Sequence, residues 1–322
     1  MAGTTGSKKK RRGGQATPTD DKLLRLLFFH PRFWLTWLQF GLLRIAAAQP
    51  PDRRDWIGAK LGDWAWRFAF KARHTVLRNL ELAFPELTEQ QRRELAQANF
   101  RNMGIGLMDI GVAWWCSDDV IAKMFEVKGD EHLRAAQKSG KGVLLLSCHM
   151  TGLEISGAKL RHLTNFKVLY REDRNPLIAN FVRRSRRRRV DGVIANHDMR
   201  AMMRALKSGE VIWYAPDQNI SPRRGGIFAP FLGIDAATTP ASARLAQRTG
   251  CVVLPYYPKR LSGGGYMLIF EPPLADFPGG DIAQATTRIN QTIEKWVREQ
   301  PEQYFWAHKR FKSRPDGEPK LY

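Results

Sequence analysis

From Val143 to Glu299 the chain alternates between short apolar runs and longer amphipathic ones, and this alternation limits the fold more than any single residue does. Val143-Leu144-Leu145-Leu146 is a continuous apolar run of strand length, the pattern of a strand covered on both faces. Lys167–Tyr170, Gly192–Ile194, Val211–Ala215, Val252–Tyr257 and Tyr266–Phe270 read as further strands. Asn175–Arg188, Asp198–Lys207, Pro240–Thr249 and Ile282–Glu299 read as helices. Strands separated by helix-length segments need crossover connections. The expected fold class is therefore α/β, a mostly parallel sheet flanked by helices. Upstream, residues 52–84 read as helical up to Phe84-Pro85, and Thr88-x-x-Gln91 is a capping box opening a long helix towards Trp115. Asp130–Gln137 reads as another short helix, and no internal repeat is visible.

The first of these strands ends on the most informative residues: Ser147-Cys148-His149-Met150-Thr151-Gly152-Leu153-Glu154. His149 falls at the carboxyl end of a strand, where open α/β sheets place their chemistry. Thr151-Gly152 can turn the chain into the next helix, whose first turns hold Glu154. A histidine steadied by a carboxylate can take a proton from an alcohol near neutral pH. The spacing alone is common by chance, and the strand–turn–helix setting is what gives it weight.

Composition narrows the partners. The net charge of +21 and pI near 10.3 favour polyanionic partners: nucleic acid, anionic lipid or an acidic protein. Lys8 to Arg12 supply five of those charges, and the remainder still carries +16. The three cysteines, Cys116, Cys148 and Cys251, form no C-x-x-C pair, which argues against a zinc site or redox motif and suits a reducing compartment. Cys148 beside His149 is a poor nucleophile candidate, because neighbours along a strand point to opposite faces.

The amino-terminal part divides in two. Residues 1–21 are polar, basic and Gly-rich and read as a disordered tail. Residues 22–50 read as a membrane-anchoring helix, rich in Leu, Phe and Trp, ahead of a domain spanning residues 51–322. The cleanest apolar stretch, Phe33 to Ala48, would reach only about 24 Å as a helix, against roughly 30 Å of hydrocarbon core. It is thus a marginal span or a helix lying in the interface, with Trp34 and Trp37 suited to the interfacial belt. The competing reading is an amphipathic helix packed on the domain. No Ala-x-Ala site in a suitable setting follows, so a cleaved signal peptide is not expected.

Three further segments stand at strand ends or near the carboxyl terminus: Tyr170-Arg171 with Asn175-Pro176, Pro216-Asp217-Gln218-Asn219, and Tyr304 to Pro315. Parallel strands line up their carboxyl ends, so Arg171 and Asp217 can converge on His149. Arg171 suits a phosphate, a carboxylate or a developing oxyanion, although it could equally form a surface ion pair. Asp217 could equally be a turn residue. The run from Arg183 to Arg189 holds six cations in seven residues and reads either as a solvated helix end or as a docking surface for an acidic partner or phospholipid head groups.

His149-Met-Thr-Gly-Leu-Glu154, Tyr170-Arg171 with Asn175-Pro176, Pro216-Asp217-Gln218, Pro230-Phe231-Leu232-Gly233 and the run Pro301 to Lys312 occur in one order. Together they resemble the bacterial lipid A biosynthesis acyltransferase family, over about Phe28 to Pro315. The resemblance implies a glycerolipid-acyltransferase-like fold with an amino-terminal anchor. It implies an inner-membrane enzyme facing the cytoplasm, moving a fatty acyl chain from acyl carrier protein to a hydroxyl on a hydroxyacyl chain of a lipid A precursor of the Kdo-lipid IVA type. It carries the catalytic pair onto His149 and Glu154 and activity onto Arg171. Asn175, Asp217, Gln218 and Arg310, within the matched segments, join Arg171 as expected substrate or oxyanion contacts. Glu172 after Arg171, and Asn196-His197 before Asp198, depart from the family's usual residues and bear on acceptor contacts.

A thioester donor is already activated, so neither a cofactor nor a metal is expected beyond the acyl carrier co-substrate. The expected partners are acyl carrier protein, the lipid A precursor and anionic inner-membrane lipid. An enzyme of the same superfamily acting on another glycolipid or phospholipid would share the site. A nucleic-acid-binding protein would leave the His149 strand end unexplained, and the basic residues follow no groove-reading motif.

Overall fold

Val143, Leu144, Leu145 and Leu146 are all fully buried, and alternate residues of this strand enter different cores. Leu144 and Leu146 pack on one side of the sheet with Met202, Leu245 and Trp296, while Val143 and Leu145 pack on the other with Ile155, Leu254 and Tyr256. This is the two-layer burial that a continuous apolar strand requires. The computed structural model describes residues 28–170, 175–187, 190–195 and 198–322. The basic tail, Arg171, Glu172, Asn196, His197 and the last two arginines of the 183–189 run lie outside the described residues.

The chain opens with helices α1 (Trp34–Ala47), α2 (Pro51–Phe68), α3 (Phe70–Ala83), α4 (Glu89–Trp115) and α5 (Asp118–Ala122). Then follow β1 (Phe125–Lys128), α6 (Asp130–Lys138), β2 (Val143–Leu146), α7 (Leu153–Leu160), β3 (Lys167–Tyr170), α8 (Pro176–Arg187), β4 (Gly192–Ala195), α9 (Met199–Lys207) and β5 (Val211–Tyr214). A hairpin of β6 (Ile227–Phe231) and β7 (Ile234–Thr238) precedes α10 (Ala241–Thr249), β8 (Val252–Arg260), β9 (Tyr266–Phe270) and α11 (Ile282–Glu299).

Among the described residues the main sheet has seven strands in the order β1-β9-β8-β2-β5-β3-β4. Every neighbouring pair is parallel except β8 with β9. That exception follows from chain length. Only residues 261–265 join the two strands, enough for a hairpin and too few for a crossover. The expected α/β class therefore holds, with β9 and its parallel partner β1 running against the rest. The hairpin turn at Leu232-Gly233 has φ of 54° and 78°, so both central residues adopt the left-handed conformation that two-residue hairpins of this twist need.

The expected helix over 52–84 is two helices, broken at Ala69, where ψ reaches 64°. The capping box is present: the Gln91 N–H donates to Thr88 Oγ1 at 3.2 Å and the Thr88 N–H donates to Gln91 Oε1 at 2.8 Å. Together these satisfy two otherwise unpaired donors at the start of α4.

Of the two anchoring readings of the amino-terminal segment, the marginal span finds no support. Among the described residues no helix is long and apolar enough to cross a membrane. Helix α1 packs one side on the domain through Phe40, whose ring meets Trp114 at 5.8 Å and Phe181 at 4.7 Å. Its other side leaves Trp34, Leu35, Leu38, Leu42 and Ile45 exposed. Helix α2 and the start of α3 add exposed Trp56, Trp64, Phe68 and Phe70, which periodicity had marked only as helical.

Candidate active site

The strand β2 delivers His149 to the carboxyl edge of the sheet, three residues beyond Leu146. Its direct neighbour β5, in register with Leu146 opposite Tyr214, delivers Asp217 to the same edge. The two meet there. His149 Nδ1 lies 2.6 Å from Asp217 Oδ1, and the His149 backbone N–H donates to Asp217 Oδ2 at 3.0 Å. An ionised carboxylate only accepts, so Nδ1 carries the ring hydrogen and Nε2 presents its lone pair. Gln218 places its side-chain amide nitrogen 3.3 Å from that Nε2.

The carboxylate bonded to the imidazole is thus Asp217, which the sequence had placed among the substrate contacts rather than beside the ring. Glu154 stands in the first turn of α7 and lines a separate cavity beside the groove. A contact five residues along the chain required a particular turn, whereas Asp217 arrives by strand adjacency and bonds both the ring and the backbone of His149.

Electrostatics reinforce the geometry. Burial opposes charge on Asp217, but the His149 charge, the two hydrogen bonds from His149 and the Arg310 charge outweigh it and bring the carboxyl down to about 2. Burial also pulls the His149 imidazole towards neutrality. Asp217, through its charge and hydrogen bond, more than reverses this and raises the ring above the ordinary 6.5. The stabilisation tied to Asp217 is accordingly present above its ordinary value of 3.8 and is lost as pH falls towards 2. That tied to the imidazolium is complete below pH 6.5 and fades as pH rises through the raised value.

The loop carrying His149 is braced from the carboxyl-terminal run. The Phe305 N–H donates to the His149 carbonyl at 2.9 Å, and the Thr151 N–H donates to the Gln303 carbonyl at 2.9 Å. That run is pinned in turn by two fully buried asparagines. Asn99 donates to the carbonyls of Glu302 and Tyr304, and Asn79 donates to those of Trp306 and His308. The aromatic run near the terminus therefore acts as scaffold for the catalytic loop. His308 holds the other side: burial first of all keeps its ring neutral, and its Nε2 accepts the Asn219 N–H at 3.0 Å, fixing the turn after Asp217.

Two expected substrate contacts take other roles. Arg310 is only 1% exposed and donates to the Ala237 carbonyl at 3.0 Å and Thr238 Oγ1 at 2.6 Å. It is a buried cation whose charge helps to lower Asp217, and it is not among the residues lining the groove. Asn175 caps α8, its Oδ1 accepting the Leu177 N–H at 3.0 Å, and its amide donates to Thr36 on α1. Gln218 does line the groove with His149. Arg171, the expected oxyanion partner, lies outside the described residues. Cys148 is fully buried and burial holds its thiol well above the ordinary range, which agrees with its rejection as a nucleophile.

The groove at His149 holds about 1510 Å³ of atom-free space, its open mouth included. Its walls include Leu169, Met199, Trp213 and Tyr214, with two cations, Arg224 and Arg244. Among the described residues no cluster of histidine, cysteine or carboxylate side chains could hold a metal ion. An imidazole held by a buried carboxylate, with Nε2 beside the Gln218 amide in a groove of mixed polarity that carries Arg224 and Arg244, has the residue types of a general-base site.

The sequence comparisons narrow this class. Residues 24–313 match the family described as bacterial lipid A biosynthesis acyltransferase. The chain is 39% identical over 295 residues to the lipid A biosynthesis lauroyltransferase of Escherichia coli (strain K12), covering 91% of this chain and 96% of that one. It is 35% identical to the palmitoleoyltransferase and 27% identical to the myristoyltransferase of lipid A biosynthesis from the same organism, covering 92% and 97% of this chain and 96% of each relative. A solved 1-acyl-sn-glycerophosphate acyltransferase from Thermotoga maritima aligns with a TM-score of 0.37 and 14% identity, over 77% of this chain and 97% of that one. The chain belongs to the bacterial lipid A biosynthesis acyltransferase family.

Proposed function

We propose that this protein transfers a fatty acyl chain from the thioester of an acyl carrier protein to a hydroxyl on a hydroxyacyl chain of a lipid A precursor, at the cytoplasmic face of the inner membrane. The observation that carries the reading is the His149–Asp217 pair, whose imidazole lines the groove with Leu169, Met199 and Trp213 while the carboxylate lies buried behind it. His149 Nε2 takes the hydroxyl proton as that oxygen attacks the thioester carbonyl. The new ester C–O bond forms, the C–S bond breaks, and the imidazolium returns its proton to the departing carrier thiolate. Asp217 stabilises the imidazolium meanwhile, a role that together with base catalysis supplies factors of about 10²–10⁴. Gln218 is a neutral donor beside the reacting atoms, suited to the oxyanion with Arg171. Glu154 helps to place the substrate from the neighbouring cavity. Arg224 and Arg244 suit an acidic carrier or the phosphates and sugar acids of the acceptor.

The test is a purified-protein assay with lauroyl or myristoyl carrier thioester and lipid A precursor, read by mass spectrometry of the lipid. Gain of one acyl chain supports the reading. Intact thioester, or transfer only to other glycolipids or phospholipids, sinks it.

The same reading assigns α1 to the bilayer surface. Among the described residues nothing covers the apolar Trp34, Leu35, Leu38, Leu42 and Ile45, and the positive net charge favours anionic head groups. A helix of 14 residues spans about 21 Å, which suits lying in the interface rather than crossing it. Flotation with anionic vesicles should recover the full chain, and a Trp34→Ser, Leu38→Ser, Leu42→Ser variant should lose about 10-fold or more in binding. Equal flotation of both would remove α1 from the interface.

A further inference from the structure

Helices α9 and α10 pack against each other beside the groove at His149. Met199 at the start of α9, and Ala241 and Arg244 in α10, line that groove. The inward sides of both helices are apolar: Met202, Ala205 and Leu206 from α9 and Leu245 and Ala246 from α10 join one core. Their outward sides carry cations. Arg200, Arg204 and Lys207 are exposed on α9, and Arg244 and Arg248 on α10. The turn Pro222–Arg224 adds exposed Arg223 and Arg224, and Arg224 shares the groove wall with Arg244. No aspartate or glutamate occurs in residues 199–209, 219–234 or 236–250. Among the described residues none of these cations forms an ion pair with a carboxylate.

Local structure accounts for only part of this charge. The dipole at a helix C-terminus favours Arg204, Lys207 and Arg248, which stand in last turns. Arg200 and Arg244 stand towards the opposite ends of their helices, where the dipole favours acids. Arg200 with Arg204, and Arg244 with Arg248, are like charges one turn apart, and such pairs repel. An anion from outside the chain relieves that repulsion. The same segments expose no large apolar side chain, whereas α1 and α2 expose several. A helix seated in a bilayer surface needs such side chains to insert. The face therefore fits the acidic surface of a folded protein better than a membrane.

We propose that the exposed face of α9 and α10, with the Arg223-Arg224 turn, is the docking surface for the acidic carrier protein, which rests there while its thioester arm enters the groove past Arg224 and Arg244. The inference rests on the reading of His149 as the base for acyl transfer from a carrier thioester. Unpaired cations around the mouth of the groove steer an acidic partner to it and set its orientation, so their contribution falls as salt rises.

The experiment uses the full chain as wild type and as two charge-reversed variants. One variant carries Arg200→Glu, Arg204→Glu and Arg248→Glu, none of which lines the groove. The control carries Arg93→Glu, Lys128→Glu and Lys138→Glu, the same change of charge at exposed positions elsewhere. Each is assayed with lipid A precursor and either lauroyl carrier protein or lauroyl pantetheine, a thioester with no protein attached. The docking variant should lose about 10-fold or more in kcat/KM with the carrier, chiefly through KM, and stay within about 2-fold of wild type with the pantetheine. The control should stay within about 2-fold of wild type with both. Added NaCl should lower the wild-type carrier value more steeply than that of the docking variant. An unchanged carrier value, an equal loss with both thioesters, or a control that falls as far as the docking variant overturns the proposal. So does a docking variant that keeps its carrier kinetics but no longer floats with anionic vesicles, since the face then belongs to the bilayer. Wild type inactive with both thioesters is a different failure, that of the acyl-transfer reading itself.

Discussion

Asp217→Asn should lower kcat by about 10³–10⁴-fold and move the acidic limb of the pH profile to lower pH. The wild-type rate should climb with pH and level off above the His149 value, which Asp217 raises beyond the ordinary 6.5. With the carboxylate made neutral, burial of the imidazole is left unopposed and pulls its proton affinity down. The remaining base is correctly charged at lower pH, but it is weaker and no longer held in the required tautomer. His149→Ala should remove turnover over the whole pH range, with the protein still folded, since the half-buried ring contributes little to either core. Glu154→Gln separates the two carboxylates. It should reduce turnover through substrate placement while the acidic limb stays where it is in wild type. A limb that moves in Glu154→Gln and stays fixed in Asp217→Asn would return the orienting role to Glu154.

Gly104→Ala should destabilise the fold by about 3 kcal/mol, measured by denaturant unfolding. Helices α2 and α4 cross with their backbones in near contact. A Cβ on Gly104 would stand 2.1 Å from the Gly58 carbonyl oxygen, and a Cβ on Gly62 would stand 2.3 Å from the Phe100 carbonyl oxygen. The obstructing atoms are backbone, so relief requires the helices to separate. The sign decides the matter. On an isolated helix the same change stabilises by about 1 kcal/mol, because alanine is the better helix former. A neutral or stabilising result would mean that the two helices do not approach in this way. Because α4 also carries Asn99, which pins the run bracing the His149 loop, activity should fall with stability.

Much of the sheet was readable because its strands are short, apolar and separated by helices of ordinary length. β2, β3, β5 and the helices between them fall where periodicity puts them. What escaped notice has local causes. β1 is Phe125-Glu126-Val127-Lys128, four residues with alternating polarity and no strong turn signal. The hairpin β6–β7 hides in a turn whose first central residue is Leu232, where glycine or asparagine would have announced it. The break at Ala69 carries no proline and no glycine. Arg310 was expected as a substrate contact from its place in a matched segment, and its burial is a property that no such match records.

By itself the sequence determined the alternating elements, the placing of His149 at a strand end, the family and the apolar character of α1. Each is a property of neighbours along the chain, and period and spacing encode such properties directly. Only the tertiary structure decided which carboxylate meets the imidazole. Asp217 reaches His149 from 68 residues away because β5 lies beside β2, an adjacency no local pattern records. For the same reason the backbone contact at Gly104 is invisible in the sequence, where it is one glycine among many, and packing alone assigns it.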